Sequence, residues 1–370
     1  LLQRHVPLFF NLDHRDIWSS FKNEFGCNEA GAAILLAAHT TDRPVSYSRN
    51  KNYYTSIGRY QVKHFSYSKV TQQIDYLDHA GVITSHRMPP GNLGWQSWIE
   101  LTPETRARIS NLINGPLMPL WSETIILRDR DKKLCNYTDN ALTRRMRKQL
   151  IEFNEAIASC TLAGCLPCLM RRIFNESFER GGRFYTYGSG GWQSLSKEAR
   201  GQILMNGEPV VEVDYAALHP ALAYAHVGEA LPPNCYVIDG WPRALVKVTF
   251  LILLNAHNET SAMRAIANHA EMAAFQPDFS EAFADAKRLI AAIKLRHPKI
   301  LRFFHSDAGA RLMRVDSDLA ETVMLKLHSQ SIVALPIHDS FQVAASHADK
   351  LKEIMEFAAH SKGYGHIQVH

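Results

Sequence analysis

Two aspartates in this chain stand where runs of apolar residues end. Val210-Val211-Glu212-Val213 alternates like a β-strand and delivers Asp214 at its close. Residues 332–343 answer it: two apolar runs flank His338-Asp339-Ser340, which predicts strand, turn, strand with Asp339 at the tip. Carboxylates offered by neighbouring strands are the ligand set of two-metal phosphoryl transfer. There, divalent cations about 3.5–4 Å apart activate a hydroxyl and stabilise the leaving oxygen. Oxygen ligands of this kind suit Mg²⁺. Taken alone, an aspartate after a valine-rich run is more often a strand-end cap, so the assignment depends on what surrounds the pair.

Trp241-Pro242 predicts the opening of a helix that continues to Ala256, with Arg243 and Lys247 sharing one face. Without neighbours, that face reads as solvated helix surface. Upstream, Glu179-Arg180-Gly181-Gly182-Arg183 sets an arginine after paired glycines that permit close backbone approach. In this order the elements resemble the palm and fingers of family A DNA polymerases and of the related single-subunit phage and mitochondrial RNA polymerases. Glu179-x-x-Gly182-Arg183 is similar to their Asp-x-x-Gly-Arg element and Asp214-Tyr215 to motif A. Arg243-x-x-x-Lys247 is similar to motif B and His338-Asp339-Ser340 to motif C. Serine after the motif C aspartate is the RNA-polymerase form; the DNA enzymes usually have glutamate. The resemblance covers residues 136–345.

The resemblance implies an α+β right-hand polymerase, with a thumb over residues 136–180, a palm over 181–230 and 305–370, and fingers over 231–304. It implies in-line attack of a primer 3′-hydroxyl on a nucleoside triphosphate, with two Mg²⁺ or Mn²⁺ ions held by Asp214, Asp339 and the Tyr215 carbonyl. Arg243 and Lys247 face the triphosphate, and Lys247 also protonates the leaving pyrophosphate. Arg183 and His338 sit near the primer terminus. Partners would be DNA template and primer, dNTPs or NTPs, and a helicase or small accessory replication protein. The setting would be the cytoplasm of a bacterial or phage-infected cell, without a membrane.

Three positions depart from the family pattern. His219 stands where the DNA enzymes place a glutamate against a ribose 2′-hydroxyl. Leu251 and Asn255 replace an aromatic residue and a tyrosine after motif B. An imidazole both donates and accepts hydrogen bonds, so the expectation is modest discrimination between dNTPs and NTPs, about 10- to 100-fold, altered by removing His219. DNA polymerase and primase are the leading activities. A small single-subunit RNA polymerase is one alternative; a catalytically decayed, DNA-binding replication initiator is the other.

The chain has 370 residues and a net charge of +5, a basic excess compatible with nucleic acid. No apolar run reaches membrane-span length, and Leu1-Leu2-Gln3-Arg4-His5 does not open a signal peptide. The six cysteines read as reduced thiols. Cys165-x-x-Cys168, with Cys160 nearby, has zinc-ligand spacing but no matching second half, so small buried hydrophobes are the favoured reading.

Residues 1–110 predict a separate winged-helix-like, nucleic-acid-binding module: a helix over 30–40, a second over 68–80, then strand, Pro/Gly turn and strand. Lys63, His64, Lys69, His86 and Arg87 cluster around its second helix and wing; protein docking is the alternative use. Residues 111–135, with Pro116 and Pro119, form a connector, and a core of 136–370 follows. There, Thr138–Ile157 predicts a helix whose Arg144, Arg145, Arg147 and Lys148 would grip the duplex backbone. Asn206-Gly207 predicts a hairpin turn, Asp278 a helix start, and 316–327 a helix preceded by template-facing Arg311 and Arg314. Residues 346–370 read as a closing helix and tail without chemistry.

Overall fold

A computed structural model of the chain describes residues 6–7, 15–41, 43–54, 58–60, 65–89, 96–113, 123–165, 168–186 and 191–370. Lys63, His64, Pro116, Pro119 and most of the predicted wing turn lie outside these residues.

The front module grows from local signals. Asn28 accepts the amides of Ala30 and Gly31 and starts helix Glu29–His39. Helix Tyr67–His79 buries Val70, Ile74 and Leu77, the stripe its sequence predicts, and Gly81 at φ +70° terminates it. Strands Ile83–His86 and Ser97–Leu101 pair antiparallel, and Val45–Tyr47 joins the other edge of Ser97–Leu101. Helices Arg15–Phe25 and Pro103–Leu112 close the module against Glu29–His39.

The remainder is a mixed α and β structure built on small sheets. Ile125–Arg128 runs parallel to Met170–Asn175, which pairs antiparallel with Ser177–Thr186. A five-stranded sheet takes the order Leu335–Ile337, Ser340–Ala344, Glu208–Asp214, Leu204–Met205, Leu162–Ala163. Asn206 and Gly207, at φ +54° and +84°, make the predicted turn into Glu208–Asp214. Asp278 caps helix Phe279–Arg296 by accepting the Glu281 amide, also as predicted. Among the described residues, no helix is long and apolar enough to cross a membrane.

Helix Ala308–His328 is longer than the predicted 316–327 segment. Its start escapes sequence reading because Asp307, at φ +51°, provides no capping side chain. The helix packs on Ser177–Thr186, where a methyl at Gly182 would meet the Phe174 ring at 2.5 Å and Ser317 Oγ at 2.9 Å. The close approach that the paired glycines predict is therefore used. Arg172, 1% exposed, fastens the same contact. Its Nη1 donates to Glu321 at 2.6 Å, its Nε to the Gly182 carbonyl at 2.8 Å and its Nη2 to Ser317 at 3.3 Å. Arg314 lies inside this helix and is tied to Asp318 and the Phe178 carbonyl, so it is not turned outward as expected.

The boundary at residue 110 is crossed by side chains. Arg59 donates to Glu123 at 2.9 Å and to the Tyr137 carbonyl at 2.7 Å, with its guanidinium 3.7 Å from the Tyr137 ring centre. Tyr60 donates to the Cys135 carbonyl and accepts the Leu127 amide. Residues 58–60 thus pack with the segment predicted to be a connector.

Candidate functional site

Antiparallel pairing sets Asp214 opposite Ser340, the first strand residue after the Ile337–Ser340 turn. The register is pinned from one face by Glu212, which accepts two hydrogen bonds from Arg200 at 3.0 Å, one from Ser340 at 3.1 Å and one from Gln342 at 3.2 Å. Burial opposes the charge on Glu212, yet the Arg200 hydrogen bonds hold its carboxyl below the usual range. A one-residue slip between the strands would carry Ser340 and Gln342 away from Glu212. His338 has φ +59° in the first turn position, a conformation non-glycine residues rarely adopt. Strained backbone of this kind collects at functional sites.

Asp214 and Asp339 therefore reach the same end of one sheet, joined where the Tyr215 amide donates to the Asp339 carbonyl at 3.2 Å. Asp214 is exposed. Burial and the nearby Asp316 push the Asp339 carboxyl up, against the pull of Arg183. Desolvation in the turn, then the Arg183 charge, hold the His338 imidazole below its ordinary value. The tail without expected chemistry comes to the same place. The Asp214 amide donates to His370 at 3.1 Å, and the His370 amide returns a bond at 3.0 Å.

The donor set fits divalent cations that keep water and phosphate as their other ligands. It supplies two carboxylates and the Tyr215 carbonyl, which accepts no hydrogen bond among the described residues. Among the described residues, no group of three or more His, Cys, Asp or Glu side chains is arranged to hold a metal ion, at this end of the sheet or elsewhere. Burial raises the pKa of the Cys160, Cys165 and Cys168 thiols.

Helix Arg243–Asn255 starts directly after Pro242. Arg243 and Lys247 are exposed and make no ion pair among the described residues. Arg243 lies 5.6 Å from the centre of the Tyr236 ring. The Tyr236 phenol is raised first by burial, then by Cys235, with Arg243 opposing and Asp339 adding to the rise. Leu251 is half-buried, and the Asn255 amide packs where a side chain on Gly309 would stand.

The chain matches no protein-family model and no curated protein sequence.

His219 is placed differently from its expected role at the sugar. Its side chain is 10% exposed and turned towards Arg183 and Asp316. Arg183 Nη2 lies 3.1 Å from His219 Nε2, while Arg183 Nε donates to Asp316 Oδ2 at 2.5 Å. A guanidinium only donates, so Nε2 must accept and the imidazole proton sits on Nδ1. Nδ1 is buried with no hydrogen-bond partner among the described residues. An unmet donor of this kind costs about 1–3 kcal/mol.

Asp316, 1% exposed, is the residue that motif reading misses. One signal was present: Asp316, Ser317 and Glu321 share the buried side of their helix with Leu312, Leu319 and Ala320. Polar residues within an apolar helical stripe require partners.

The basic surfaces are less free than their sequences suggest. Lys69 is exposed on its helix, but Asp75 of that helix engages both Arg49 and Arg87. His86 stacks on Trp98 at 4.8 Å. Arg145 is exposed, as is Arg144, which donates to the Asp139 carbonyl at 3.2 Å. Arg147 is committed to Glu123 and Asp139.

Proposed function

We propose that the chain is a template-directed nucleotidyltransferase, a DNA polymerase or primase with a right-hand core and a winged-helix-like front module. The observation that carries the reading is the convergence of Asp214 and Asp339, from segments 125 residues apart, at one end of one sheet. Arg183 acts on Asp339, and Arg243 and Asp339 both act on the Tyr236 phenol; Lys247 is exposed one turn along the helix from Arg243.

Asp214, Asp339 and the Tyr215 carbonyl would hold two Mg²⁺ or Mn²⁺ ions. Bound there, the ions would supply activation of the 3′-hydroxyl and shielding of the phosphate charge. The protein's own groups do the rest. Arg243 and Lys247 orient the triphosphate, and Lys247 gives its proton to the departing pyrophosphate. Arg183 and His338 hold the primer end, while Lys69, Arg144 and Arg145 meet template phosphates without reading sequence.

The test offers labelled dNTPs and NTPs, with Mg²⁺ or Mn²⁺, on primed and unprimed single strands. Template-dependent incorporation supports the reading; product from unprimed strands assigns primase activity. DNA binding without incorporation in any arm overturns it in favour of a replication initiator.

A further inference from the structure

We infer that Asp316 is a positioning residue that, with His219, fixes the orientation of Arg183; the inference rests on the nucleotidyl-transfer reading. Asp316 meets Arg183 through Nε and Nη2, and His219 Nε2 accepts from Nη2. Nε and Nη2 are thereby both engaged, by two hydrogen bonds and an ion pair, while Nη1 makes no hydrogen bond among the described residues. Arg183 is 15% exposed at the side chain and Asp316 only 2%. The anchor is buried and the arm reaches the surface. A fork held this way presents Nη1 in one direction without ordering at the moment of substrate binding.

Fastening strand to helix does not by itself explain the pair. Arg172 joins the two elements through Glu321 and Ser317, Arg180 pairs with Asp307, and Arg314 reaches the Phe178 carbonyl. What Asp316 adds is direction, one residue beyond the Gly182 contact. The partner of Nη1 would be an acceptor on the terminal primer nucleotide.

The test is a mutant cycle on primer extension by the full chain. Asp316→Asn keeps the shape and removes the charge; Arg183→Lys keeps the charge and removes the fork. Each should lower kcat about tenfold or more while changing the nucleotide KM less than about threefold, with Tm close to the parent's. The double variant should be no slower than the slower single variant, because both remove one orientation. Multiplying losses, or an unchanged kcat in Asp316→Asn, overturn the inference. Should Asp316→Asn fold poorly, His219→Gln and His219→Leu carry the test. Glutamine offers Arg183 an acceptor and should retain activity, leucine should lose it, and equal rates in the two overturn the inference. A parent inactive on every primer overturns both readings together; an active parent with multiplying losses overturns this one alone.

Discussion

The amide of Tyr215 donates to the carbonyl of Asp339 at 3.2 Å, so the strand carrying Asp214 continues its pairing into the turn carrying Asp339. That bond, with the Asp214–Ser340 register, couples the two aspartates through backbone. Substitution of either side chain leaves the coupling in place.

Asp214→Asn and Asp339→Asn are accordingly expected to remove nearly all nucleotidyl transfer while melting stays near the parent's. Single-turnover rates with Mg²⁺ check this. A variant retaining more than about a tenth of the parental rate, a loss of only about 1.4 kcal/mol, sinks the metal assignment.

The position of His219 changes what its removal should do. Neither ring nitrogen is offered to a sugar: one accepts from Arg183 and the other is buried. His219→Ala should therefore lower kcat/KM for dATP and ATP together, leaving their ratio within about threefold of the parent's. A shifted ratio, measured opposite one template thymine, would restore His219 as the sugar gate.

The Arg172–Glu321 pair is expected to dominate local stability. Glu321→Ala leaves a guanidinium that is 1% exposed without its carboxylate, a loss of about 3–5 kcal/mol. Urea unfolding midpoints measure it. The double variant Arg172→Met/Glu321→Leu should recover most of the loss, since apolar replacement of a buried pair is often near neutral.

Acid should weaken the fold before its carboxylates protonate. Buried His297 is bonded through Nδ1 to Tyr224 at 2.9 Å and through Nε2 to the Cys235 carbonyl at 2.9 Å. Burial, the leading cause, lowers its pKa from 6.5, and desolvation likewise lowers that of His305. Below pH 6.5 the unfolded chain takes up these protons more readily than the folded chain. Stability is then fully present above that pH and falls below it, by up to about 1.4 kcal/mol per pH unit for each histidine. His297→Gln should flatten the slope between pH 6.5 and 5.5. An unchanged slope would remove His297 from the account.

Local patterns carried much of the architecture into the sequence. The Val70, Ile74 and Leu77 stripe, the Asn206-Gly207 turn and the Asp278 cap each act within a few residues, where period and turn chemistry decide the outcome. What was illegible is long-range. Arg183 meets a carboxylate 133 residues away, and Arg59 crosses to Glu123 and Tyr137. The tail returns to Asp214 through backbone bonds that leave no mark on composition. Its place in a motif predicts His219 at the sugar, while its orientation is set by a helix that the motif does not include.

Gly182 has a consequence for how this chain can vary. Its φ is +87°, and the space where a side chain would begin is filled by Phe174 and Ser317. The strand and helix are held at the thickness of a bare backbone, and that spacing sets whether Arg183 and Arg172 reach Asp316 and Glu321. One added methyl would act as a shim, opening both ion pairs at once from a position that carries no charge. Residue 182 is thus a gauge for the Arg183 arm, working through the atoms it lacks.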